Sequence, residues 1–421
     1  MNSVLRAKMS VYLLCTLDTK GPEASFVRDC LREMGIAVTL VDTGALGQPT
    51  IAADVSREQV FAAAGTSLAE IAAKNDRGTA ITAAAKGAAE IIRQAHAAGK
   101  VDGVIALGGS AGTTIGTTAM WTLPLGVPKV MVSTMASGQT RQYVGDKDIC
   151  MLNSVVDIAG INRISRKILG EAAAAMAGMV NALKNMQSAI RNPQSDRPLI
   201  AATMFGVTTP CVQRARQLLE EAGYEVLVFH ATGNGGQAME SLIRDGLIAG
   251  VLDITTTELA DELVGGVLSA GPTRLTAAGE CGIPQVVSVG ALDMVNFGPP
   301  ETVPEKFKQR KFHQHNPTVT LMRTTAEENA KLGIEIGRKV AAAKGPATIM
   351  LPLRGVSAID ADGKSFDDPA ARKSLYDAIR ASHGSVELIE MDNHINDESF
   401  AVAAAKKLLE LIGSVKQIGR G

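Results

Sequence analysis

Short apolar runs alternate along the chain with stretches of helical periodicity. This alternation is typical of parallel sheets whose connecting helices cover both faces. Residues 191–197 are polar, and two prolines lie in or beside them, so they predict a linker between two α/β domains, residues 1–190 and 198–421. The predicted strands are residues 11–17, 37–42, 103–107, 129–133, 199–204, 226–229, 250–254, 285–289 and 318–322, and the predicted helices include residues 23–34, 79–98, 163–186 and 212–222.

The two halves of the chain resemble each other. Five residues spanning a helix, a glycine turn and a strand recur at one constant offset, and so does a Gly-x-Pro turn before a strand. The pattern favours duplication of a Rossmann-like lobe with a doubly wound parallel sheet, although all such sheets repeat helix, glycine and strand. Two lobes would leave a cleft, the usual place for a ligand. The matching positions are Leu31, Glu33, Gly35, Val38 and Val41 with Leu219, Glu221, Gly223, Val226 and Phe229, and Gly126 and Pro128 with Gly282 and Pro284.

The composition narrows the class of protein. Of the 421 residues, 46% are hydrophobic but only 3% are aromatic, which favours helices and buried parallel strands over an all-β sandwich. The 42 basic and 43 acidic residues leave no strong field to attract nucleic acid or an anionic membrane. No apolar run reaches the roughly 18 residues of a membrane span. Five scattered cysteines without a CxxC pair predict a cytoplasmic protein.

The most specific site signal is a glycine-rich turn after the strand at residues 103–107. Glycines let the backbone approach a phosphate, and the N–H groups and dipole of a helix N-terminus attract an anion. The turn is neither a Walker A loop nor a GxGxxG fingerprint, so by itself it predicts only phosphate binding. A tight turn without a ligand is the alternative. The candidates are Gly108, Gly109, Ser110, Gly112, Thr113 and Thr114.

Other strands should bring polar residues to the same rim, because the carboxyl ends of parallel strands share one edge. After the first strand, Lys20 could neutralise a phosphate, and Asp18 could hold Mg²⁺ or a ribose hydroxyl. Asp42 stands where an acid often binds ribose, although a structural turn is the favoured interpretation for it. The remaining candidates are Thr19, Ser133, Thr134, Ser137 and Gly138, with helix capping or a simple turn as the alternative.

The second half carries its own ionisable candidates. His230 precedes a glycine-rich stretch that predicts a second anion-binding turn. Two further histidines, two residues apart in an extended segment, could share a metal, or could join nearby arginines in binding a substrate carboxylate or phosphate. These candidates are His313 and His315, with Glu280, Asp293 or His394 as further metal ligands and Arg323 and Arg354 as anion-binding residues. A solvated polar loop is favoured over a metal site for the histidine pair, and a loop with a solvated side chain is the alternative for His230.

Four motifs in this order resemble one known family. They are residues 18–21, 108–113, 133–138 and 230–233, and they are similar to the ATP-binding family named after the tomato mosaic virus resistance protein, an uncharacterised family of bacterial, fungal and plant proteins. The resemblance extends over nearly the whole chain. It implies two α/β domains, with ATP and its Mg²⁺ bound by the first. Ala111 stands where the family often has a glycine, and the resemblance supplies no reaction.

The sequence therefore leaves three functions open. The first is a nucleotide-binding protein in which ATP closes two lobes or stabilises a homo-oligomer, and the absence of a recognisable kinase or ATPase base favours it. The second is a metabolic enzyme that holds a phosphorylated or carboxylated small molecule in the cleft and uses the second-half histidines and arginines. The third is an adaptor that binds another protein through its Ala- and Met-rich helices.

Overall fold

The structure is a computed structural model that describes residues 10–74, 76–138, 140–186 and 197–418. The chain divides into two compact units, Met1–Pro193 and Gln194–Gly421, which we call the first and second lobes. The predicted linker, residues 191–197, lies outside the described residues except for its last position. Each lobe is built on a parallel sheet, so the predicted two-lobe α/β fold is confirmed.

The first lobe has a five-stranded parallel sheet in the order β2-β1-β3-β4-β5. One face packs against α1 and α7, and the other packs against α4 and α5. The elements are β1 (Ser10–Cys15), α1 (Leu17–Glu33), β2 (Val38–Asp42), α2 (Arg57–Ala63), α3 (Leu68–Lys74), α4 (Arg77–Ala97), β3 (Val101–Gly108), α5 (Ser110–Met120), β4 (Lys129–Ser133), α6 (Arg141–Val144), β5 (Cys150–Asn153) and α7 (Arg163–Met186).

The second lobe has a six-stranded parallel sheet in the order β14-β13-β9-β8-β6-β7, and a three-stranded antiparallel sheet, β10-β12-β11, is inserted after β9. The elements are β6 (Leu199–Met204), α8 (Thr209–Glu221), β7 (Glu225–His230), α9 (Asn234–Arg244), β8 (Ile248–Thr255), α10 (Thr257–Val264), α11 (Ala277–Cys281), β9 (Gln285–Gly290), β10 (Met294–Phe297), β11 (Phe312–Asn316), β12 (Val319–Arg323), α12 (Ala326–Ala341), β13 (Ala347–Pro352), α13 (Pro369–Ser382), β14 (Glu387–Met391) and α14 (Glu398–Ile418).

The two lobes repeat the same topology. Taken in chain order, the first five strands of each parallel sheet are arranged 2-1-3-4-5. In each lobe the register between the first and third strands shifts once, after the first residue of the first strand. The two Gly-x-Pro turns also match, because Val104 N donates to the Pro128 carbonyl and Val251 N donates to the Pro284 carbonyl, each at 2.9 Å. This agreement supports the duplication inferred from the sequence.

Helix α1 begins with a separate turn. Lys20 has φ −134° and ψ 27°, which interrupts the helix, and the regular part follows from Pro22. Proline is well suited to a first helical position because its fixed φ is helical and the missing N–H would be unpaired there. The kink leaves residues 17–20 as a short connection at the carboxyl end of β1.

Candidate functional site

A cavity of about 340 Å³ lies at the carboxyl edge of the first-lobe sheet. Its walls come from the segments that follow β1, β2 and β3 and from α4. In this strand order the chain leaves β1 toward β2 on one side and returns to β3 on the other, so the connections diverge here. Ligands of open α/β sheets bind at this point of divergence.

The N-terminus of α5 lines the cavity with uncapped amides. The first hydrogen bond of this helix runs from Thr113 N to the Gly109 carbonyl (2.8 Å). The amides of Ser110, Ala111 and Gly112 therefore have no partner within the helix, and no described side chain caps it. All three residues line the cavity, where the helix dipole strengthens the attraction of their amides for an anion.

The glycines of this turn have different roles. A Cβ on Gly108 would lie 2.6 Å from Gly112 Cα, and one on Gly112 would lie 2.9 Å from the Leu107 carbonyl oxygen. The packing of the turn therefore requires both glycines. A Cβ on Gly109 would meet Thr134 Oγ1 at 3.5 Å, an ordinary contact. The fold therefore does not require a glycine at this position. Because Gly109 has no side chain, the backbone is open beside the cavity.

Two basic side chains line the cavity as well, Lys20 and Arg77. Lys20 Nζ donates to the Ile158 carbonyl oxygen (2.6 Å), which leaves two of its three N–H groups for a ligand. Arg77 is the first residue of α4 and is exposed, and its guanidinium has no partner among the described residues. Sequence reasoning missed Arg77, because nothing local links it to a turn about 30 residues later.

Two carboxylates face the same cavity. Asp18 Oδ2 accepts hydrogen bonds from the amides of Leu46 and Gly47, both at 3.1 Å, and Asp157 Oδ1 accepts from the amide of Ile158 at 2.8 Å. Each carboxylate uses one oxygen in these contacts, which leaves the other for a cation or a ligand hydroxyl. Asp157 is a second residue that the sequence did not single out.

The remaining wall of the cavity is apolar. Ala80, Ile81 and Ala84 lie on one face of α4, and Ile115 of α5 lies beside them. Leu46, 78% exposed, lines the same cavity. The arrangement offers an apolar surface next to an anion-binding helix terminus.

Several predicted residues serve the protein rather than the cavity. Thr113 is fully buried, and its hydroxyl contacts the Gly109 carbonyl (2.7 Å) and Ser133 Oγ (2.6 Å). Thr114 Oγ1 donates to the Ser110 carbonyl (3.0 Å). These three hydroxyls stabilise the turn, and none of the three residues lines the cavity. The cavity wall also excludes Gly108, Thr134, Ser137 and Gly138, whereas Asp18, Thr19, Lys20, Gly109, Ser110 and Gly112 belong to it.

Asp42 has a structural role, as the sequence favoured. It is 1% exposed, and its Oδ1 accepts from the amides of Leu17 (3.0 Å) and Gly44 (2.9 Å). Burial raises the pKa of this carboxyl, which the two amides partly offset. The carboxylate thus fixes the turns after β1 and β2. Because the residue is buried and does not line the cavity, its other oxygen is not presented to a ligand there.

The predicted anion-binding turn of the second lobe already holds an anion of the protein. The amides of Gly233 and Gly236 donate to Glu258 Oε1 at 2.7 and 3.1 Å, and Glu258 is fully buried. The expectation that this turn serves an external ligand is therefore corrected. His230, beside it, is exposed and packs against Phe205 in a tilted arrangement, with ring centroids 5.4 Å apart.

Arg274 links the buried acids of the second lobe. It is fully buried and holds both oxygens of Asp253, one of them at 2.7 Å, while its Nε donates to Glu258 Oε2 at 2.6 Å. Burial opposes the charge of the guanidinium, but the surrounding carboxylates still raise its pKa well above the ordinary value. For Glu258, burial outweighs the arginine and raises the carboxyl pKa.

The raised pKa of the Asp261 carboxyl predicts that stability depends on pH. Burial raises its pKa from 3.8 to about 7, against hydrogen bonds from Asn296 and Leu268 that favour the charged form. A folded pKa above the unfolded one favours folding below pH 3.8, and this contribution is lost as the pH rises through 7. We expect urea unfolding to show a loss of up to about 4 kcal/mol from this carboxyl between these pH values.

The Asp261→Asn variant tests this expectation, because an amide does not titrate. Its free energy of unfolding should fall less between pH 5 and pH 8 than that of the wild type, whereas Glu262→Gln, at an exposed neighbour, should follow the wild type. Equal pH dependence in the wild type and Asp261→Asn would contradict the raised pKa.

The other second-lobe candidates are mostly engaged within the protein. Arg323 is buried and donates to the Phe366 carbonyl (2.8 Å) and to Asp360 Oδ1 (3.2 Å). Arg354 is exposed and forms a two-pronged ion pair with Asp392. His394 is held through both ring nitrogens, one of them 2.8 Å from the Ser357 carbonyl oxygen. These three residues therefore have structural partners instead of forming a shared substrate site.

The histidine metal site is not assembled. His313 and His315 lie on β11, but a bulge between Gln314 and Asn316 breaks the alternation that would place both on one face. His313 Nδ1 lies 3.3 Å from Ser365 Oγ. Within the described ranges, no group of three or more His, Cys, Asp or Glu side chains is arranged to hold a metal.

Sequence profiles identify both lobes. Residues 9–185 match the N-terminal domain and residues 197–412 match the C-terminal domain of the uncharacterised protein family UPF0261. The chain belongs to the UPF0261 family. The resemblance inferred from the four sequence motifs is thereby confirmed, since the tomato ToMV susceptible and resistance proteins are among the relatives.

Relatives of this UPF0261 chain occur in bacteria and plants. A UPF0261 protein of Clostridium tetani is 51% identical over 96% of this chain and 98% of its own length. The ToMV susceptible protein tm-1(GCR26) of Solanum lycopersicum is 42% identical over 95% of this chain, and the ToMV resistance protein Tm-1(GCR237) is 47% identical over 80%. The chain spans about half the length of these two plant proteins, 55% and 45%.

Solved structures resemble this UPF0261 chain only distantly. UDP-N-acetylglucosamine 2-epimerase from Rickettsia bellii aligns over 98% of both chains with 12% identity and a TM-score of 0.22. A putative UDP-N-acetylglucosamine 2-epimerase from Listeria monocytogenes aligns over 98% of this chain and 97% of its own, with 13% identity and a TM-score of 0.23. Similarity at this level does not indicate a shared reaction.

The longest helices of the described ranges are α4, α7 and α14, with 21, 24 and 21 residues. None of them is both long and apolar enough to cross a membrane.

Proposed function

We propose that the first lobe binds ATP, with its phosphates at the N-terminus of α5 and its base against the apolar wall. The observation that carries the proposal is the cavity at the divergence of β1 and β3, lined by the uncapped amides of residues 110–112. Lys20 and Arg77 add two positive charges, so this rim suits a ligand with several negative charges.

The neighbouring groups favour a mononucleotide over a dinucleotide. In dinucleotide-binding lobes an acid at the end of the second strand accepts from the ribose. Here Asp42 is buried and committed to two backbone amides. The volume of about 340 Å³ lies at the lower end of the range for small-molecule pockets, roughly 300–1,000 Å³.

The residues present fit a magnesium ion that arrives with the nucleotide. Mg²⁺ is usually bound by one or two carboxylates together with phosphate oxygens and water, so it does not need a complete protein cage. Asp18 and Asp157 each have one oxygen left for this purpose. The ion would neutralise phosphate charge that the two carboxylates would otherwise repel.

Ligand titrations test the proposal. At a hundred times its Kd, ATP with Mg²⁺ should stabilise the folded protein by about 2.7 kcal/mol and raise the Tm by roughly 5–10 °C. Trp121, the single tryptophan, ends the helix that begins at the site, so its fluorescence gives a second readout. Adenosine, which lacks phosphates, is the matched control and should give a much smaller shift, as should NAD. No response to millimolar ATP in either readout would refute nucleotide binding.

A further inference from the structure

Residues 155–160 connect β5 to α7 along one side of the first-lobe cavity. Asp157 lines the cavity and is exposed, whereas Ile158, the next residue, is 2% exposed. The segment thus has one side chain facing the cavity and one anchored in the core. It leads within three residues into α7, a 24-residue helix that packs on α1.

Two side chains of α1 hold this segment. Lys20 Nζ donates to the Ile158 carbonyl oxygen at 2.6 Å, and Glu23 Oε1 accepts from the Gly160 amide. Glu23 is fully buried although it carries a carboxylate. Lys20 also lines the cavity, so a single ammonium group adjoins both the segment and the place of the ligand phosphates.

The segment has a strained backbone, and two buried polar atoms lie beside it without a partner among the described residues. Glu23 Oε2 and Ser154 Oγ are buried without a hydrogen-bond partner in the described part of the chain. Val155 has φ 62°, a left-handed conformation that β-branched residues rarely adopt, and Val156 N donates to the Ser154 carbonyl at 2.6 Å in a tight γ-turn. Strained backbone and unpaired buried polar atoms are typical of ligand clamps and switch segments.

We propose that residues 155–160 form a clamp that an anionic ligand in the cavity stabilises through Lys20. The inference rests on the proposed nucleotide site and adds its regulation. The ammonium has three N–H groups, one for the Ile158 carbonyl and two for phosphate oxygens. A bound phosphate restricts the rotamers of the Lys20 side chain. The hydrogen bond to the Ile158 carbonyl then forms at a smaller entropic cost, because that freedom is already lost.

This coupling is reciprocal. If the ligand stabilises the clamp, the clamp strengthens ligand binding by the same factor. Glu23 touches the clamp through Gly160 and does not line the cavity, so it is a positioning residue for the clamp. A change at Glu23 should therefore reach the ligand only through residues 155–160.

Hydrogen exchange followed by mass spectrometry tests the clamp on the full chain, free and with ATP and Mg²⁺ at saturation, as judged by Trp121 fluorescence. Inorganic triphosphate is a second probe without a base. Both probes should slow exchange at residues 158–161 by roughly tenfold, within the usual range of coupling energies. Protection at residues 110–114 without protection at 158–161 would overturn the clamp and leave nucleotide binding intact. Absence of protection in both segments would overturn both proposals.

Two variants separate the clamp from a purely structural contact. In Lys20→Met, ATP that still protects residues 110–114 should no longer protect residues 158–161, whereas Lys86→Met, at an exposed site on α4 outside this cavity, should behave as wild type. In Glu23→Met, exchange of the free segment should speed up and ATP affinity should fall roughly fivefold. Full ligand-induced protection in Lys20→Met, or wild-type exchange and affinity in Glu23→Met, would refute the coupling.

Discussion

Replacing Arg274 by methionine is expected to destabilise the second lobe by about 3–5 kcal/mol. The substitution keeps an unbranched chain but leaves the carboxylates of Asp253 and Glu258 buried without their cation. An unpaired buried charge costs far more than the original pair contributed. Since domains are usually stable by about 5–15 kcal/mol, the loss is a large part of the total. Urea unfolding followed by circular dichroism measures it.

The matched control is Arg244→Met. Arg244, 41% exposed, forms ion pairs with Glu240 and Glu280. Without it, water solvates the exposed Glu280, and the buried Glu240 keeps two backbone amides and the nearby Arg274 guanidinium (3.6 Å) as partners. Its loss should stay below about 1 kcal/mol, as for other exposed ion pairs. Similar losses in the two variants would contradict the claim that Arg274→Met is costly because it leaves buried carboxylates unpaired.

The parallel sheets could be predicted because their signal is local. Buried parallel strands appear as continuous apolar runs, and every predicted strand lies within two residues of an observed one at each end. The antiparallel insertion was missed, apart from the strand at 318–322, and so were the parallel strands β5, β13 and β14. Strand β11, Phe312–Asn316, is largely exposed and polar, so it lacks the apolar alternation by which a strand is recognised.

The site could be predicted only as far as its motif is local. The turn at residues 108–112 identifies itself by its glycines, whereas Arg77 and Asp157 reach the cavity through the fold. A local motif also misleads when its partner is distant. The turn before α9 resembles an anion site, and it is one, but Glu258 supplies the anion from 22 residues beyond Gly236.

Comparison of the described residues explains why the end of β3 is open and the corresponding end of β8 is filled. Strands β3 and β8 each have eight residues and the same register shift against the first strand of their lobe, so positions after them correspond. Gly109 then corresponds to Thr256, and Ala111 corresponds to Glu258. Thr256 and Glu258 are fully buried, while Gly109 and Ala111 line a cavity. In the second lobe, the side chains of Thr256 and Glu258 thus fill the position that is open in the first lobe.

Placing a carboxylate at this position of the first lobe should therefore weaken nucleotide binding strongly. In Ala111→Glu, an acid in the first turn of α5 should leave the helix unharmed or stabilise it by about 0.5 kcal/mol, because it faces the positive end of the dipole. The same carboxylate would compete for the amides of residues 110–112 and repel phosphate. At about 4 Å and an effective dielectric constant near 20, one pair of like charges costs about 4 kcal/mol, so ATP affinity should fall by at least roughly a hundredfold.

Ala111→Gln separates this charge effect from the size of the side chain. It adds nearly the same volume without the charge, so its ATP affinity, measured by calorimetry, should stay much closer to that of the wild type. The melting temperatures of both variants without ligand should match the wild type and show that the turn is intact. Wild-type ATP affinity in Ala111→Glu would place the phosphates elsewhere. Equal losses in the two variants would mean that the α5 terminus excludes bulk instead of recognising negative charge.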